Sequence, residues 1–311
     1  MFHGRVIYYH HIAEAPRPEH WFFRSAATLG KLRSDMEYLL ARYELISIER
    51  MASGWERGRS CPARAVAVTF DDGLHSNYEA ARLLHDLSIP ACFFVTTATI
   101  DTAFVPWNLR FAHVLSTARA SPAELDAIAV PRQGSIARRR WEQNLRSTIA
   151  QMPPDRRDQE LTRLAAELHA DDSPGRDADV RFLTSRQLRE MRQWGMTIGC
   201  HGATHDTLTR CNDGERVDEV VRSKARLEGL LDAPVEFFAY PDGVYDRAAR
   251  DLASEHYRMA FTAPSDVGSP QDRWRFPRHA VEAVPIRRAM SWWFPWRTRA
   301  ARAAKEALGY T

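Results

Sequence analysis

The sequence predicts an α/β fold, a barrel of seven or eight parallel strands with a long helical insertion between two of them. Three observations predict it. Short apolar runs without a polar face alternate with amphipathic stretches, the rhythm of β/α units whose strands are covered on both sides. The chain has 311 residues, enough for one large barrel or two ordinary domains. One connection, residues 101 to 183, is far longer than an ordinary crossover and reads as helical and highly charged.

In chain order, the strand candidates are RVIYY at 5–9, ELISI at 44–48, AVAVTF at 65–70, ACFFV at 91–95 and MTIGC at 196–200. VEFFAY at 235–240, RMAFT at 258–262 and the stretch from Phe276 to Val281 complete the set. Their β-branched and aromatic content suits strands. LGKLRSDMEYLLARY, SNYEAARLLHDLS and VDEVVRSKARLEGLL lie between them and place apolar residues at helical spacing. Inside the insertion, Ser121, Pro122 and Glu124 carry a capping-box signature with proline at the first helical position. MPPDRRDQELTRLAAELHA starts another helix, and VPWNLRFAHVL offers an apolar face to the barrel. A spacer and a substrate lid are equally consistent with this insertion. Residues 1–284 are expected to form the barrel unit, and 285–311 a basic, tryptophan-rich tail.

Composition narrows the class. At 44% hydrophobic and 27% charged residues the chain is globular, neither disordered nor fibrous. A formal charge of +3, without a basic stripe interleaved with aromatics, excludes nucleic acid as the expected partner. Cys61, Cys92, Cys200 and Cys211 show no paired short spacing and read as buried free thiols. MFHGRVIYYHHIAE lacks a signal-peptide pattern and no run reaches membrane-span length, so the expected location is the cytoplasm, with the inner face of the membrane as one option within it. The tail mixes Trp292, Trp293, Phe294 and Trp296 with Arg287, Arg288, Arg297, Arg299 and Arg302. That mix suits peripheral contact with an anionic membrane, a terminal helix packed on the barrel, or a dimer contact, and the sequence weighs them alike.

Two motifs carry chemistry. TFDDG places Asp71 and Asp72 where a buried strand emerges, the end at which α/β folds build sites. Alone, Asp-Asp-Gly is an ordinary turn. HGATH follows directly on MTIGC, so His201 and His205 stand four apart at a second strand end and can face one point. Two imidazoles with one carboxylate suit Zn²⁺ in an open catalytic site.

TFDDG, HGATH and FAYPDG at 238–243 resemble the first three motifs of the polysaccharide deacetylases of carbohydrate esterase family four, the NodB homology domain. The resemblance covers about residues 5 to 282, apart from the insertion. It implies a distorted (β/α)7-8 barrel and a metal-dependent N-deacetylase. By this resemblance Asp72, His201 and His205 hold a divalent metal, Zn²⁺ first, with Co²⁺ or Ni²⁺ as alternatives. Asp71 is then the general base, and the backbone N–H of Asp242 helps to hold the oxyanion. VIYYHHIAE resembles the N-terminal motif of the permuted branch typified by poly-N-acetylglucosamine deacetylases, which makes His10 the candidate acid and His11 the runner-up.

The chain also departs from the family pattern. Gly202 stands where Ser or Thr is commonest, Ala239 where many members carry an arginine, and Asp242 where an aromatic residue or glycine is usual. Arg278, in FPRHA, is the candidate for the missing cation. The expected substrate is an N-acetylated sugar in a surface glycan, a glycolipid or a precursor of either. Two other readings keep the site: a hydrolase of a small amide or ester, and a non-catalytic, metal-retaining carbohydrate-binding protein. Asp71 argues against the last, because metal binding alone does not need it.

Overall fold

The structure, a computed structural model, describes residues 4–14, 26–59, 61–62, 64–131, 135–174, 180–263 and 272–293. Its strands are β1 Arg5–Tyr9, β2 Ile12–Ala13, β3 Ala27–Thr28, β4 Glu44–Leu45, β5 Ala65–Phe70, β6 Ala91–Val95 and β7 Thr197–Cys200. They continue with β8 Phe237–Ala239, β9 Met259–Thr262, β10 Phe276–Pro277 and β11 His279–Ala280. The main sheet runs β10-β9-β8-β7-β6-β5-β1-β11, with parallel pairing throughout. Its two end strands are separated in the chain by Arg278 alone. The stretch 276–280 therefore pairs β9 with its first half and β1 with its second, and the sheet becomes a nearly closed barrel.

Alternation along the strands decides what the barrel holds. Val6, Ala65, Ala67, Cys92, Phe94, Phe237, Ala239, Met259, Phe261 and Phe276 form one buried cluster, which fills the interior. The intervening residues, among them Ile7, Val66, Val68, Phe93, Val95 and Ile198, belong to the larger cluster under the helices. Helix α1 Leu29–Leu40 is followed by α2 Ile48–Glu56, whose Ile48, Met51 and Ala52 join the interior cluster. Because Glu49 of α2 bonds Thr197 at the start of β7, this helix covers the N-terminal end of the barrel. ELISI is thus not a full strand. Glu44 and Leu45 pair with β5, Ile46 adds one last N–H to the Val66 carbonyl, and the Ser47 hydroxyl accepts the Arg50 N–H and starts α2 at Ile48.

Helix α3 is Ser76–Asp86. Between β6 and β7 stand α4 Trp107–Thr117, α5 Pro122–Ala127, α6 Ile136–Ile149 and α7 Pro154–Glu167, and α8 Ser185–Gln193 leads into β7. The capping box of Ser121 and Glu124 is present, with Pro122 in the first helical turn. Helix α4 differs from expectation. Its Trp107, Phe111, Val114 and Leu115 bury themselves with Ile149, Leu161 and Leu164 of α6 and α7, while Leu109 meets Leu74 and Val180. A helix buried nearly all round has faces for both neighbours, so the insertion keeps a core of its own.

The remaining helices are α9 Asp213–Val217, α10 Ser223–Leu231, α11 Arg247–His256 and α12 Ile286–Trp293. Ile286, Ala289 and Met290 of α12 are buried, and Arg287 lies over the Tyr38 ring of α1 at 5.5 Å. The rest of the tail, with Phe294, Trp296, Arg297, Arg299 and Arg302, lies outside the described residues, as do the side chains of Trp292 and Trp293. All four cysteines are free and buried. No described helix is long and apolar enough to cross a membrane.

Candidate metal centre and catalytic cavity

The period-two alternation that fills the barrel also points Asp71 inward, in register with Ala65, Ala67 and Thr69. Directly after it, Asp72 (φ 71°) and Gly73 (φ 74°) both take left-handed backbone conformations, which turns the chain sharply. Glycine is needed at the second position. A Cβ on Gly73 would lie 2.7 Å from Val95 Cγ1. The turn separates two adjacent carboxylates that would otherwise share one environment, and each finds different partners.

Asp72 Oδ1 lies 3.5 Å from His201 Nε2 and 3.3 Å from His205 Nε2. All three residues are buried, and one ligating atom from each falls within 4.8 Å of the others. His201 Nδ1 donates to the Ala239 carbonyl at 2.8 Å, since that oxygen can only accept, and this turns Nε2 toward Asp72. Both Asp72 oxygens are buried without a hydrogen-bond partner among the described residues. Burial would raise this carboxyl, but the two imidazoles outweigh it and hold it well below its ordinary value. Orphaned carboxylate oxygens facing imidazole nitrogens, one of them oriented by a backbone carbonyl, fit a divalent metal ion.

Asp71 meets a different group. Arg278 Nη1 and Nη2 donate to its two oxygens at 2.6 and 2.7 Å, and the N–H of Asp71 donates to the Tyr9 carbonyl at 2.9 Å. Arg278 is 1% exposed, with the rings of Tyr8 and Phe94 at 4.8 and 5.1 Å. Its backbone N–H donates to Thr262 where the ladder passes from β9 to β1. Burial pushes the Asp71 carboxyl up; the Arg278 charge, helped by His201, reverses this and holds it below its ordinary value.

His10 follows β1, in register with Val6 and Tyr8 on the interior face. Its Nδ1 lies 3.1 Å from Glu282 Oε2, and Glu282 also accepts from the backbone N–H groups of His10 and His11. Burial lowers the His10 pKa, but the Glu282 carboxylate more than offsets it and raises the value to about 10. His11 lines the same cavity, although alternation places it on the opposite face, because the strand ends at Tyr9. Its Nδ1 is 3.0 Å from Ser76 Oγ.

The cavity has a volume of about 320 Å³ and is lined by His10, Asp71, Asp72, His201, His205, Asp242 and Arg278, the seven residues to which the sequence gives a metal or catalytic role. Asp242 (φ 56°) presents its carboxylate to Arg146 Nη2 at 2.7 Å and Thr207 Oγ1 at 2.8 Å. Arg146 comes from α6 and Asn108 from α4, so the insertion forms part of the wall. Asn108 is 3% exposed, and its Oδ1 has no partner among the described residues. Sequence reasoning missed Asn108, Arg146 and Glu282. Glu282 carried a partial signal, since it lies four residues after Arg278, in the turn just past β11. The two helical residues carried none.

The profile of the polysaccharide deacetylase family matches residues 58–260, about two thirds of the chain. The chain belongs to the polysaccharide deacetylase family. Solved deacetylases share the fold. Streptococcus pyogenes deacetylase PplD in complex with acetate is 18% identical, with 90% of this chain and 92% of that one aligned at a TM-score of 0.56. IcaB from Ammonifex degensii is 16% identical over 94% and 98% of the two chains, with a TM-score of 0.60. The BpsB deacetylase domain from Bordetella bronchiseptica is 18% identical over 89% and 95%, with a TM-score of 0.52. Comparison with curated protein sequences gives no match. The polysaccharide deacetylase match spans Asp71, Asp72, His201, His205 and Asp242, whereas His10, Arg278 and Glu282 lie outside it. The two ends of the described chain thus line the same cavity as the matched segment.

Proposed function

We propose that the protein is a metal-dependent N-deacetylase acting on the acetamide of an N-acetylated sugar in a surface glycan, a glycolipid or a precursor of either. One observation carries this reading: an Asp71–Arg278 pair and a His10–Glu282 pair line the same cavity as the Asp72, His201 and His205 triad. A metal triad alone supports binding, whereas a braced carboxylate and a braced imidazole supply an acid and a base.

Asp72, His201 and His205 hold the ion, Zn²⁺ in the first instance, with Co²⁺ or Ni²⁺ as alternatives. Bound there, it supplies Lewis acidity and lowers the pKa of water. Asp71, kept ionised by Arg278, takes a proton from the water that attacks the acetamide carbonyl. His10, kept protonated by Glu282, gives a proton to the departing nitrogen as the C–N bond breaks, leaving acetate and an amine. The left-handed turn at Asp242 is the place for a backbone donor to the developing oxyanion. Asn108 and Arg146 offer polar groups to sugar hydroxyls.

The test is acetate release, with Zn²⁺ or Co²⁺ supplied, from N-acetylated glycans, lipid-linked precursors and nucleotide sugars. Wild-type protein should release acetate from at least one pool. Asp71→Asn should bind metal equally well and lose a factor of about 10²–10⁴ in rate. No release from any pool by metal-loaded wild type would refute the reading and leave a small-molecule hydrolase or a binding protein.

A further inference from the structure

Glu219 has no part in the chemistry above, yet the residue is 4% exposed and its carboxylate points at the loop carrying both histidines. Glu219 Oε2 accepts the Ala203 N–H at 2.8 Å, and Oε1 accepts the Thr204 N–H at 2.9 Å and its hydroxyl at 2.6 Å. From the other side, Thr97 N–H donates to the Gly202 carbonyl at 3.1 Å and Ala98 N–H to the Ala203 carbonyl at 2.8 Å. The three residues between His201 and His205 are thereby pinned on both sides. His205 itself sits at φ 66°, a left-handed conformation that a non-glycine residue keeps only when its surroundings impose it.

Two further features make Glu219 specific to this task. A Cβ built on Gly202 (φ 81°) would lie 2.4 Å from Glu219 Oε2, so the carboxylate occupies the space of a side chain at position 202. Glu219 also stands in a π-helical turn, Asp218–Arg222, spliced between α9 and α10. Such a turn shifts a side chain's direction relative to a regular helix, and these turns are frequent at functional sites. The Ser223 hydroxyl donates to the Glu219 carbonyl at 2.5 Å within it.

We propose that Glu219 is the positioning residue of the metal loop: its carboxylate takes the place of a side chain at position 202 and fixes His201 and His205 against Asp72. The proposal rests on the reading of these three residues as metal ligands, and not on the identity of the substrate. The glycine at 202 and the acid at 219 are two halves of one device. Neither is meant to work without the other.

The test is Co²⁺ binding by the full chain, read by calorimetry and by the visible absorption of the bound ion, beside thermal unfolding in chelator. Glu219→Ala should weaken binding about 10–100-fold and alter the Co²⁺ spectrum, with unfolding still cooperative. Glu219→Gln keeps an acceptor for one of the two amides and should fall between; it decides by the same criterion if the alanine variant does not fold. Gly202→Ala should weaken binding in the wild-type background and add less to Glu219→Ala, where the clash with the carboxylate is gone and only the strain of the left-handed backbone remains. Wild-type affinity and spectrum in both Glu219 variants would overturn the proposal, as would simple additivity of the two alanine substitutions. Failure of wild-type protein itself to bind Co²⁺ would overturn the metal-ligand reading, and the role of Glu219 with it.

Discussion

Replacing Arg278 by lysine probes the least redundant contact in the site. The wild-type guanidinium makes two charge-assisted bonds to Asp71, at 2.6 and 2.7 Å, with the arginine 1% exposed. Deleting it with alanine strands a buried carboxylate, a loss of about 3–5 kcal/mol. That is a large share of the ~5–15 kcal/mol that holds a typical domain together. Lysine keeps the charge and gives up the planar fork. One hydrogen bond to a charged group contributes about 1.5–3 kcal/mol, so losing one from the fork should lower kcat/KM by about 10- to 150-fold if it serves only to aim Asp71. The metal should stay, because Asp72, His201 and His205 make no contact with the fork. Initial rates of acetate release, calorimetric Zn²⁺ titration and urea unfolding give the three quantities. A lysine variant with wild-type kcat/KM, or one that loses metal affinity in step with rate, would refute the reasoning.

Glu282→Gln tests the acid. The carboxylate raises the His10 pKa to about 10 against burial, so the protonated form persists up to that pH. The pair's contribution to stability is complete below the ordinary histidine value and is lost as pH rises toward about 10. With glutamine the alkaline limb of kcat/KM should move to lower pH, and an unmoved limb removes His10 as the acid. Asn108→Ala and Arg146→Ala should raise KM with Zn²⁺ affinity intact, since both side chains come from the insertion and neither belongs to the triad. Unchanged KM in both reduces the insertion to a spacer. Gly73→Ala forces a side chain into a left-handed turn and 2.7 Å from Val95 Cγ1, which should cost about 1–3 kcal/mol in urea unfolding. A change within about 0.5 kcal/mol, the range of ordinary surface substitutions, counts against that account of the turn.

What could be read in the sequence followed from burial and repetition. AVAVTF, ACFFV and RVIYY announce themselves because strands covered on both faces are apolar without interruption. The clustering of Asp72, His201 and His205 was legible because both parts of it sit at strand ends within short motifs. ELISI misled because Ile46 and Ile48 are apolar for another reason, namely that they plug one end of the barrel. Partnerships across the chain left no local trace. His10 and Glu282 are 272 residues apart, and Arg146 and Asp242 are 96 apart, so only the closed fold reveals them. Glu219 was hidden differently: the pattern showed that position 202 lacked a side chain, but not where the replacement would come from.

Closure of the sheet by 276–280 has a consequence for how the protein is made. A growing chain that has produced everything up to β9 already holds the triad and Asp71, but it has neither the arginine that keeps Asp71 ready nor the glutamate that does so for His10. On the proposed mechanism such a chain should release no acetate. If the proposed function holds, hydrolytic competence should arrive with the last stave of the barrel, so the appearance of activity during refolding would be a clock for the final seam.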